Sequence, residues 1–241
     1  MMKKIIVWLA VMMYTLSGYA QDANFHIYLC LGQSNMEGNA KVEEQDTVAV
    51  DSRFQVLAAV DCPNLGRTKG NWYKAVPPLA RCYTGLTPGD YFGRAMVANL
   101  PSNVQVGIIN VAVGGCKIEL FDKDNYQSYV ETSPDWLKNM VKEYGGNPYA
   151  RLVEMAKLAQ KDGVIKGILL HQGESNTNDK DWPSKVKGVY DNLLKDLGLS
   201  AADVPLLAGE VVHADQNGIC ASMNTIIDSL PQVIPTAHVI S

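Results

Sequence analysis

The sequence is poor in charge and in histidine, and after residue 20 it has no long apolar run. Charged residues make up 19% of its 241 residues and apolar residues 47%, a balance that excludes a disordered chain. The formal net charge is −4, with no cluster of Lys and Arg of the kind that binding to nucleic acid requires. No segment after residue 20 is apolar enough to span a membrane. The composition therefore predicts a globular protein that binds neither nucleic acid nor the membrane interior.

Cysteine is also scarce, and its spacing is not that of a zinc site. The five cysteines lie at positions 30, 62, 82, 116 and 220, and no two of them form a Cys-x-x-Cys pair. In an oxidising compartment an odd number leaves at least one thiol free. Cys62 and Cys82 flank a polar, Pro-rich segment and are the preferred bridge, whereas Cys30 and Cys116 lie in apolar contexts typical of small buried side chains. We predict no metal and no cofactor.

The first 20 residues have the features of a secretory signal peptide. Lys3 and Lys4 precede the apolar stretch 5–16, and small residues end at Ala20. The apolar stretch is too short to span a bilayer, so we expect cleavage rather than anchoring. Cleavage would remove two lysines and no acidic residue, taking the formal net charge to −6. We therefore expect an exported protein, periplasmic or extracellular, whose single domain spans residues 21–241.

Short apolar runs alternate with helical patterns along the domain. The runs are rich in Val, Ile and Leu, as strands buried on both faces should be, and span 25–31, 104–113, 164–170, 204–212 and 237–240. Asn147 with Pro148 and Thr87 with Pro88 are helix starts, and further helices are predicted at 182–197 and 219–230. This alternation predicts an α/β fold with a parallel sheet and right-handed crossovers.

Residues 39–87 interrupt that alternation. Long insertions in compact domains are usually functional, so we expect this one to form a wall beside Ser34. Its aromatic residues Trp72 and Tyr73 suit the face of a sugar ring. An equally open alternative is that they pack the insertion onto the body of the domain.

The first chemical motif is residues 32–36, Gly-Gln-Ser-Asn-Met, directly after the first predicted strand. A serine at the carboxyl end of such a strand lies in the crevice where α/β folds bind their ligands. Gly32 permits a tight bend there, and Asn35 can form a hydrogen bond across the new loop. A plain turn with a capping serine is the alternative for this motif alone.

Two further motifs follow other predicted strands. Gly114 and Gly115 come after the strand 104–113, where flexible backbone can point N–H groups at an oxyanion. Residues 171–176, His-Gln-Gly-Glu-Ser-Asn, follow the strand 164–170 and are hard to explain by packing. Because parallel strands end at the same edge of a sheet, the three motifs point to one crevice.

In combination, residues 32–36, Gly114 with Gly115, and residues 171–175 resemble the motifs of the SGNH or GDSL-like hydrolase superfamily. The resemblance is to its carbohydrate-esterase branch, which includes acetylxylan esterases and sialate O-acetylesterases, and it runs in order over most of residues 21–241. It implies a three-layer α/β/α sandwich with a parallel, flavodoxin-like sheet, no metal, and Ser34 as the nucleophile. Met36 stands where the α/β-hydrolase elbow has its second glycine, so the motif is not that elbow.

The resemblance also implies an oxyanion hole. Its donors would be the backbone N–H of Ser34, the backbone N–H of Gly115 or Gly114, and the side-chain amide of Gln172. Glu174 is interpreted as a residue that orients neighbouring loops, with a role as acid partner as the alternative. The remaining candidates are the supporting residues Gln33 and Asn35 and the pocket residues Gly114, His171, Asp215 and Gln216.

The triad base has no clear candidate within the sequence. The resemblance places it in an Asp-x-x-His motif near the carboxyl terminus, so we expect the triad Asp and His, with a C-terminal element of the fold, beyond Ser241. Of the four histidines, His26 and His238 lie in predicted strands, His213 lies in a loop, and His171 belongs to a motif that supplies positioning contacts.

These expectations lead to one main function and two alternatives. The main one is a serine esterase that removes O-acetyl groups from acetylxylan or another acetylated polysaccharide through an acetyl-enzyme. The first alternative is a sialate O-acetylesterase with the same chemistry. The second, from another class, is a catalytically inactive carbohydrate-binding homologue. The oligomeric state is not predicted.

Overall fold

The computed structural model describes residues 21–241, and the predicted signal peptide lies outside them. Within these residues seven strands form one sheet. They are β1 (Asp22–Gly32), β2 (Phe54–Leu57), β3 (Trp72–Lys74), β4 (Gln105–Ala112), β5 (Gly163–His171), β6 (Leu206–Gly209) and β7 (Ala237–Ile240).

The order of the strands confirms the predicted fold class. Across the sheet the order is β3-β2-β4-β1-β5-β6-β7. Without the edge pair β2 and β3, the other five strands are parallel and have the order 2-1-3-4-5 of flavodoxin-like folds. Gly32 at the end of β1 pairs with both Ala112 of β4 and His171 of β5, which brings three strand ends to one level.

Helices cover the two faces of the sheet. They are α1 (Ser34–Glu37), α2 (Glu44–Thr47), α3 (Pro88–Asn99), α4 (Tyr126–Thr132), α5 (Asp135–Glu143), α6 (Pro148–Ala159), α7 (Trp182–Leu197), α8 (Asn224–Ile227) and α9 (Leu230–Val233). The larger apolar core lies between the sheet and α5, α6 and α7, and the smaller one lies between the sheet and α3. Of the helices in residues 21–241, none has the length and apolar character to cross a bilayer.

The predicted helix starts are confirmed where a cap is present. Asn147 accepts a hydrogen bond from the Ala150 backbone N–H at 2.9 Å, and α6 begins at Pro148. Thr87 caps α3 through the Gly89 backbone N–H at 3.0 Å. In both cases the side chain satisfies a backbone donor that the first turn leaves unpaired.

Two predicted elements after β5 are shorter than their sequence patterns indicate. The strand expected at 204–212 is reduced to β6, because the Val211 backbone bonds to the Asn224 side chain in both directions, at 2.9 Å each, instead of to a strand. The helix expected at 219–230 is split into a 3₁₀ turn, α8 and α9. Pro231 has no N–H and therefore cannot continue an α-helix from α8 into α9.

The insertion 39–87 joins the sheet at its edge. β2 pairs in parallel with β4, and β3 pairs with β2 in the antiparallel direction, an addition that the sequence pattern does not predict. The Cys62–Cys82 bridge is confirmed, with the two Cα atoms 5.2 Å apart. Cys30 and Cys116 are buried free thiols, also as predicted.

The aromatic residues of the insertion pack onto the body of the domain. The Trp72 ring lies 4.7 Å from that of Phe25, near the start of β1, and its indole N–H donates to Asp162 at 2.9 Å. The Tyr73 hydroxyl accepts from the Thr68 backbone N–H at 2.8 Å. The Trp72 ring therefore lies toward the end of the sheet opposite Ser34, and Tyr73 packs against the smaller apolar core. The packing alternative is the correct one for both.

A buried carboxyl at the start of α3 makes stability depend on pH. One oxygen of Asp90 accepts from the Thr87 backbone N–H at 2.9 Å, and the other has no partner. Burial raises the pKa of Asp90 to about 6, against the lowering effects of the Thr87 bond and of Arg94. The folded state binds this proton more tightly than the unfolded state. The stability that protonated Asp90 contributes is therefore fully present below the unfolded pKa near 4, and this contribution is lost as the pH rises through about 6.

We expect Asp90→Asn to remove this pH dependence. An amide oxygen can still accept the Thr87 hydrogen bond, but it does not ionise. Between pH 5 and pH 8 the free energy of unfolding should therefore fall by about 1 kcal/mol more in the wild type than in the variant. Urea unfolding of both proteins at the two pH values measures this difference, and parallel pH curves would contradict the assignment.

Candidate active site

Ser34 is the first residue of α1 and lies directly past the end of β1. The Gln33 backbone N–H donates to the His171 carbonyl at 3.1 Å, so the ends of β1 and β5 are joined immediately before the serine. A Cβ on Gly32 would lie 2.1 Å from the same carbonyl oxygen. Only glycine fits so close to β5, and this contact holds Ser34 at the carboxyl edge of the sheet.

The glycine pair forms the second side of the site. Gly115 has φ +69°, in the left-handed region that glycine adopts without strain. A Cβ on Gly114 would lie 2.8 Å from a carboxylate oxygen of Glu37 and 3.9 Å from the Ser34 Cβ, so this loop runs beside the serine. Within residues 21–241 the backbone N–H groups of Ser34, Gly114 and Gly115 donate no hydrogen bond. These three donors are therefore available to a ligand.

The third side is the polar loop that follows β5, and its centre is Gln172. This side chain is 1% exposed. Its amide nitrogen lies 2.8 Å from the Asn176 side-chain oxygen, 3.1 Å from the Gln33 side-chain oxygen and 3.3 Å from the Cys116 carbonyl. Its oxygen accepts from the Trp182 indole N–H. Gln172 thus links all three motif loops to α7.

This arrangement bears on the predicted role of Gln172. An amide nitrogen has two hydrogens, and here three acceptors surround it. The side chain therefore fixes the positions of the loops in this structure, while its role as an oxyanion donor stays a prediction.

Gln33 completes the same network. Its side-chain oxygen also accepts from the backbone N–H of Ser175 at 3.2 Å, and the Ser175 hydroxyl donates to the Gly115 carbonyl at 3.0 Å. Asn176 in turn accepts from the Ile118 backbone N–H at 2.9 Å. The supporting role predicted for Gln33 therefore has a geometric basis in these contacts.

Glu174 contacts the loop that carries Ser34. One of its carboxylate oxygens accepts from the Asn35 side-chain amide at 2.9 Å and lies 4.0 Å from Nδ1 of His171. The other oxygen and His171 Nδ1 are buried and have no hydrogen-bond partner in the described part of the chain. The contact with Asn35, next to Ser34, supports the orienting interpretation.

The last part of the insertion lies beside α1. The Gly85 backbone N–H donates to the Gly38 carbonyl, and Arg81 pairs with Glu37 at 2.6 Å and with Glu143 of α5. Burial opposes the charge on Arg81, but the neighbouring Glu37 carboxylate outweighs it and raises the pKa of the guanidinium. Arg81 and Gly85 of the insertion therefore contact the residues that follow Ser34, and the expectation of a wall stays a prediction.

None of the four histidine rings within residues 21–241 is bonded to Ser34. His213 pairs with Glu210 at 2.8 Å, His26 lies eight positions before Ser34 on β1, and His238 is exposed on β7. The His171 ring faces Gly209 at the end of β6. No imidazole among these residues forms a hydrogen bond with the Ser34 hydroxyl.

The loop after β6 lines a cavity beside Glu174 with residues other than the two predicted. Asp215 and Gln216 are exposed on a 3₁₀ turn. A cavity of about 260 Å³ beside Glu174 is lined instead by flanking residues, among them Val212, Ile219 and Cys220. Asp215 and Gln216 do not line this cavity, and their role as pocket residues stays a prediction.

Two residues at the crevice have no sequence signal that predicts their position. Arg81 lies in an irregular segment, and Trp136 lies on α5. The Trp136 indole is so close to Gly115 that a Cβ on this glycine would lie 2.7 Å from it. Both reach the site only through contacts between distant parts of the chain.

The strand order defines a doubly wound α/β/α protein. Ser34 lies in the crevice at the end of its central strand, beside backbone donors that are unpaired within residues 21–241. A family model described as "carbohydrate esterase, sialic acid-specific acetylesterase" matches residues 24–241. The chain belongs to this family, SASA, of carbohydrate esterases.

Solved structures share the fold at low sequence identity. A protein from Arabidopsis thaliana is 20% identical with a TM-score of 0.66, the match covering 91% of this chain and 86% of that one. A carbohydrate acetylesterase from Xanthomonas citri is 18% identical with a TM-score of 0.60, covering 89% and 49%. NanS is 15% identical with a TM-score of 0.61, covering 92% and 79%. At these identities the similarity establishes the common fold.

Proposed function

We propose that the protein is a serine esterase that removes O-acetyl groups from carbohydrates, with Ser34 as its nucleophile. The observation that carries this proposal is the position of Ser34 beside Gly114, in a chain of a carbohydrate esterase family, with the backbone N–H groups of Ser34, Gly114 and Gly115 unpaired within residues 21–241. The serine oxygen attacks the acetyl carbonyl, the sugar leaves as its alcohol, and water then releases acetate from the acetyl-serine.

The oxyanion of each tetrahedral intermediate would be held by backbone donors. Ser34 and Gly115, or Gly114, would supply these N–H groups, and donors that are in place before the reaction contribute strongly to rate. The Gln172 amide is the third proposed donor and would have to give up one of its present acceptors.

Activation of Ser34 requires a base. A serine hydroxyl is a weak nucleophile until an imidazole takes its proton. We propose that a histidine serves as this base, and within residues 21–241 the four imidazoles have the surroundings described above.

The charges around Ser34 favour a neutral sugar. Glu37, Glu143 and Glu174 contribute three carboxylates. Two cations are considered against them: Arg81, which is already paired with two of these carboxylates, and the exposed Lys117, two positions after Gly115. An anionic substrate would meet net negative charge at close range. An acetylated neutral polysaccharide such as acetylxylan is therefore the first candidate. We further propose that residues 1–20 direct export, which suits an enzyme whose polymeric substrate is too large to be imported into the cell.

A sialate O-acetylesterase is the second candidate. The description of the family favours it. In this case the substrate carboxylate would pair with Lys117, the one of the two cations that has no ion pair within the described residues.

The test is acetate release by the purified protein from acetylated xylan and from O-acetylated sialic acid, measured side by side. We expect a higher kcat/KM on the neutral substrate. The reverse order would support the sialate candidate. Binding of either carbohydrate without release of acetate would support the inactive, carbohydrate-binding alternative.

A further inference from the structure

An exposed tryptophan borders the loop beside Ser34. Trp136 lies on α5, which turns Leu137 and Val141 into the core, and it remains 53% exposed. The other tryptophans of the described chain are engaged in packing: Trp182 is fully buried, and the Trp72 ring packs against Phe25 at a tilt of 56°. Because this ring borders the loop beside Ser34, it offers a large aromatic contact surface to a ligand bound in the crevice.

The position of the ring is set by Gly115. A Cβ there would lie 2.7 Å from Cη2 and 3.2 Å from Cζ3 of Trp136, so the benzo edge of the indole rests against the glycine backbone. The neighbouring Gly114 lies beside the Ser34 Cβ. Because adjacent Cα atoms are 3.8 Å apart, the indole lies roughly 10 Å from the serine, a distance that one or two sugar units span.

The chemistry of the exposed ring suits a pyranose. Its flat face carries the negative side of the aromatic quadrupole and can receive the C–H groups of a sugar face. The indole is rigid, so little conformational entropy is lost when a ligand stacks on it. Within residues 21–241 its N–H donates no hydrogen bond and is free for a sugar hydroxyl.

We infer that Trp136 is a stacking platform that binds a pyranose ring of the substrate while the acetyl group lies at Ser34. This inference rests on the proposed function and extends it, because it makes Trp136 a determinant of specificity for saccharide esters over simple acetate esters. The indole is not one of the groups proposed to attack the ester or to hold the oxyanion.

The first experiment compares two substrates in Trp136→Ala and Trp136→Phe. On an acetylated xylo-oligosaccharide we expect the KM of the alanine variant to rise about tenfold with kcat little changed, and the phenylalanine variant, which retains an aromatic face, to stay within about threefold of wild type. On p-nitrophenyl acetate, which has no sugar ring, KM should not show this rise. An unchanged KM on the oligosaccharide, or equal losses on both substrates, would overturn the inference.

The second experiment separates this inference from the proposed function. In Ser34→Ala, an acetylated xylo-oligosaccharide should protect tryptophan fluorescence from quenching by acrylamide, and the protection should disappear in the Ser34→Ala, Trp136→Phe double variant. Protection that survives in the double variant would overturn the role of Trp136. Protection by Trp136 in a wild-type protein that releases no acetate would instead retain the platform and reject the esterase.

Discussion

Replacement of Ser34 by alanine is expected to reduce acetate release by at least about a thousandfold, because loss of a catalytic nucleophile typically costs several orders of magnitude. The substitution removes one hydroxyl, which forms no hydrogen bond within the described chain, from a half-buried position. The fold should therefore be retained. Initial rates on p-nitrophenyl acetate, with thermal unfolding measured on the same samples, test both parts of this expectation.

The matched control is Ser175→Ala. This serine also lies in the crevice, and its hydroxyl binds the Gly115 carbonyl at 3.0 Å. Its loss should reduce the rate far less than loss of Ser34, because only one loop contact is removed. Activity of Ser34→Ala within about tenfold of wild type, or a larger loss in Ser175→Ala, would reject Ser34 as the nucleophile.

The Gln172→Ala variant is expected to lose both activity and stability. Removal of the amide leaves the Trp182 indole N–H and the Cys116 carbonyl without partners in a buried region, and each such group costs about 1–3 kcal/mol. Because the three loops around Ser34 are joined through this side chain, we expect kcat to fall about a hundredfold, with a smaller rise in KM. Steady-state kinetics and urea unfolding of the same variant measure the two effects.

Trp182→Phe separates structural support from contact with the reacting atoms. It removes the donor to the Gln172 oxygen but leaves the amide hydrogens in place. We expect a loss of stability comparable with that of Gln172→Ala and a clearly smaller loss of kcat. Equal losses of kcat would make Gln172 a positioning residue only, and an effect of Gln172→Ala confined to KM would make it a substrate-binding residue.

Much of the scaffold could be predicted because its signals are local. Continuous apolar runs mark the buried parallel strands, and Asn147 and Thr87 mark helix starts through caps formed with residues next to them. The early end of β6 could not be read in this way. It depends on the bond between Asn224 and the Val211 backbone, which exists only once the chain has folded.

The same division holds for the site. The strand-end positions of Ser34, Gly114 and Gln172 follow from the sequence by itself, because every parallel strand ends at the same edge of the sheet. The tertiary structure decided that Trp72 packs at the far end, that Trp136 borders Gly115, and that the Gln172 amide faces Gln33 and Asn176. Periodicity shows which face of an element is buried, but it carries no information on which distant side chain will meet that face. Such contacts are set by the crossovers that bring remote segments together.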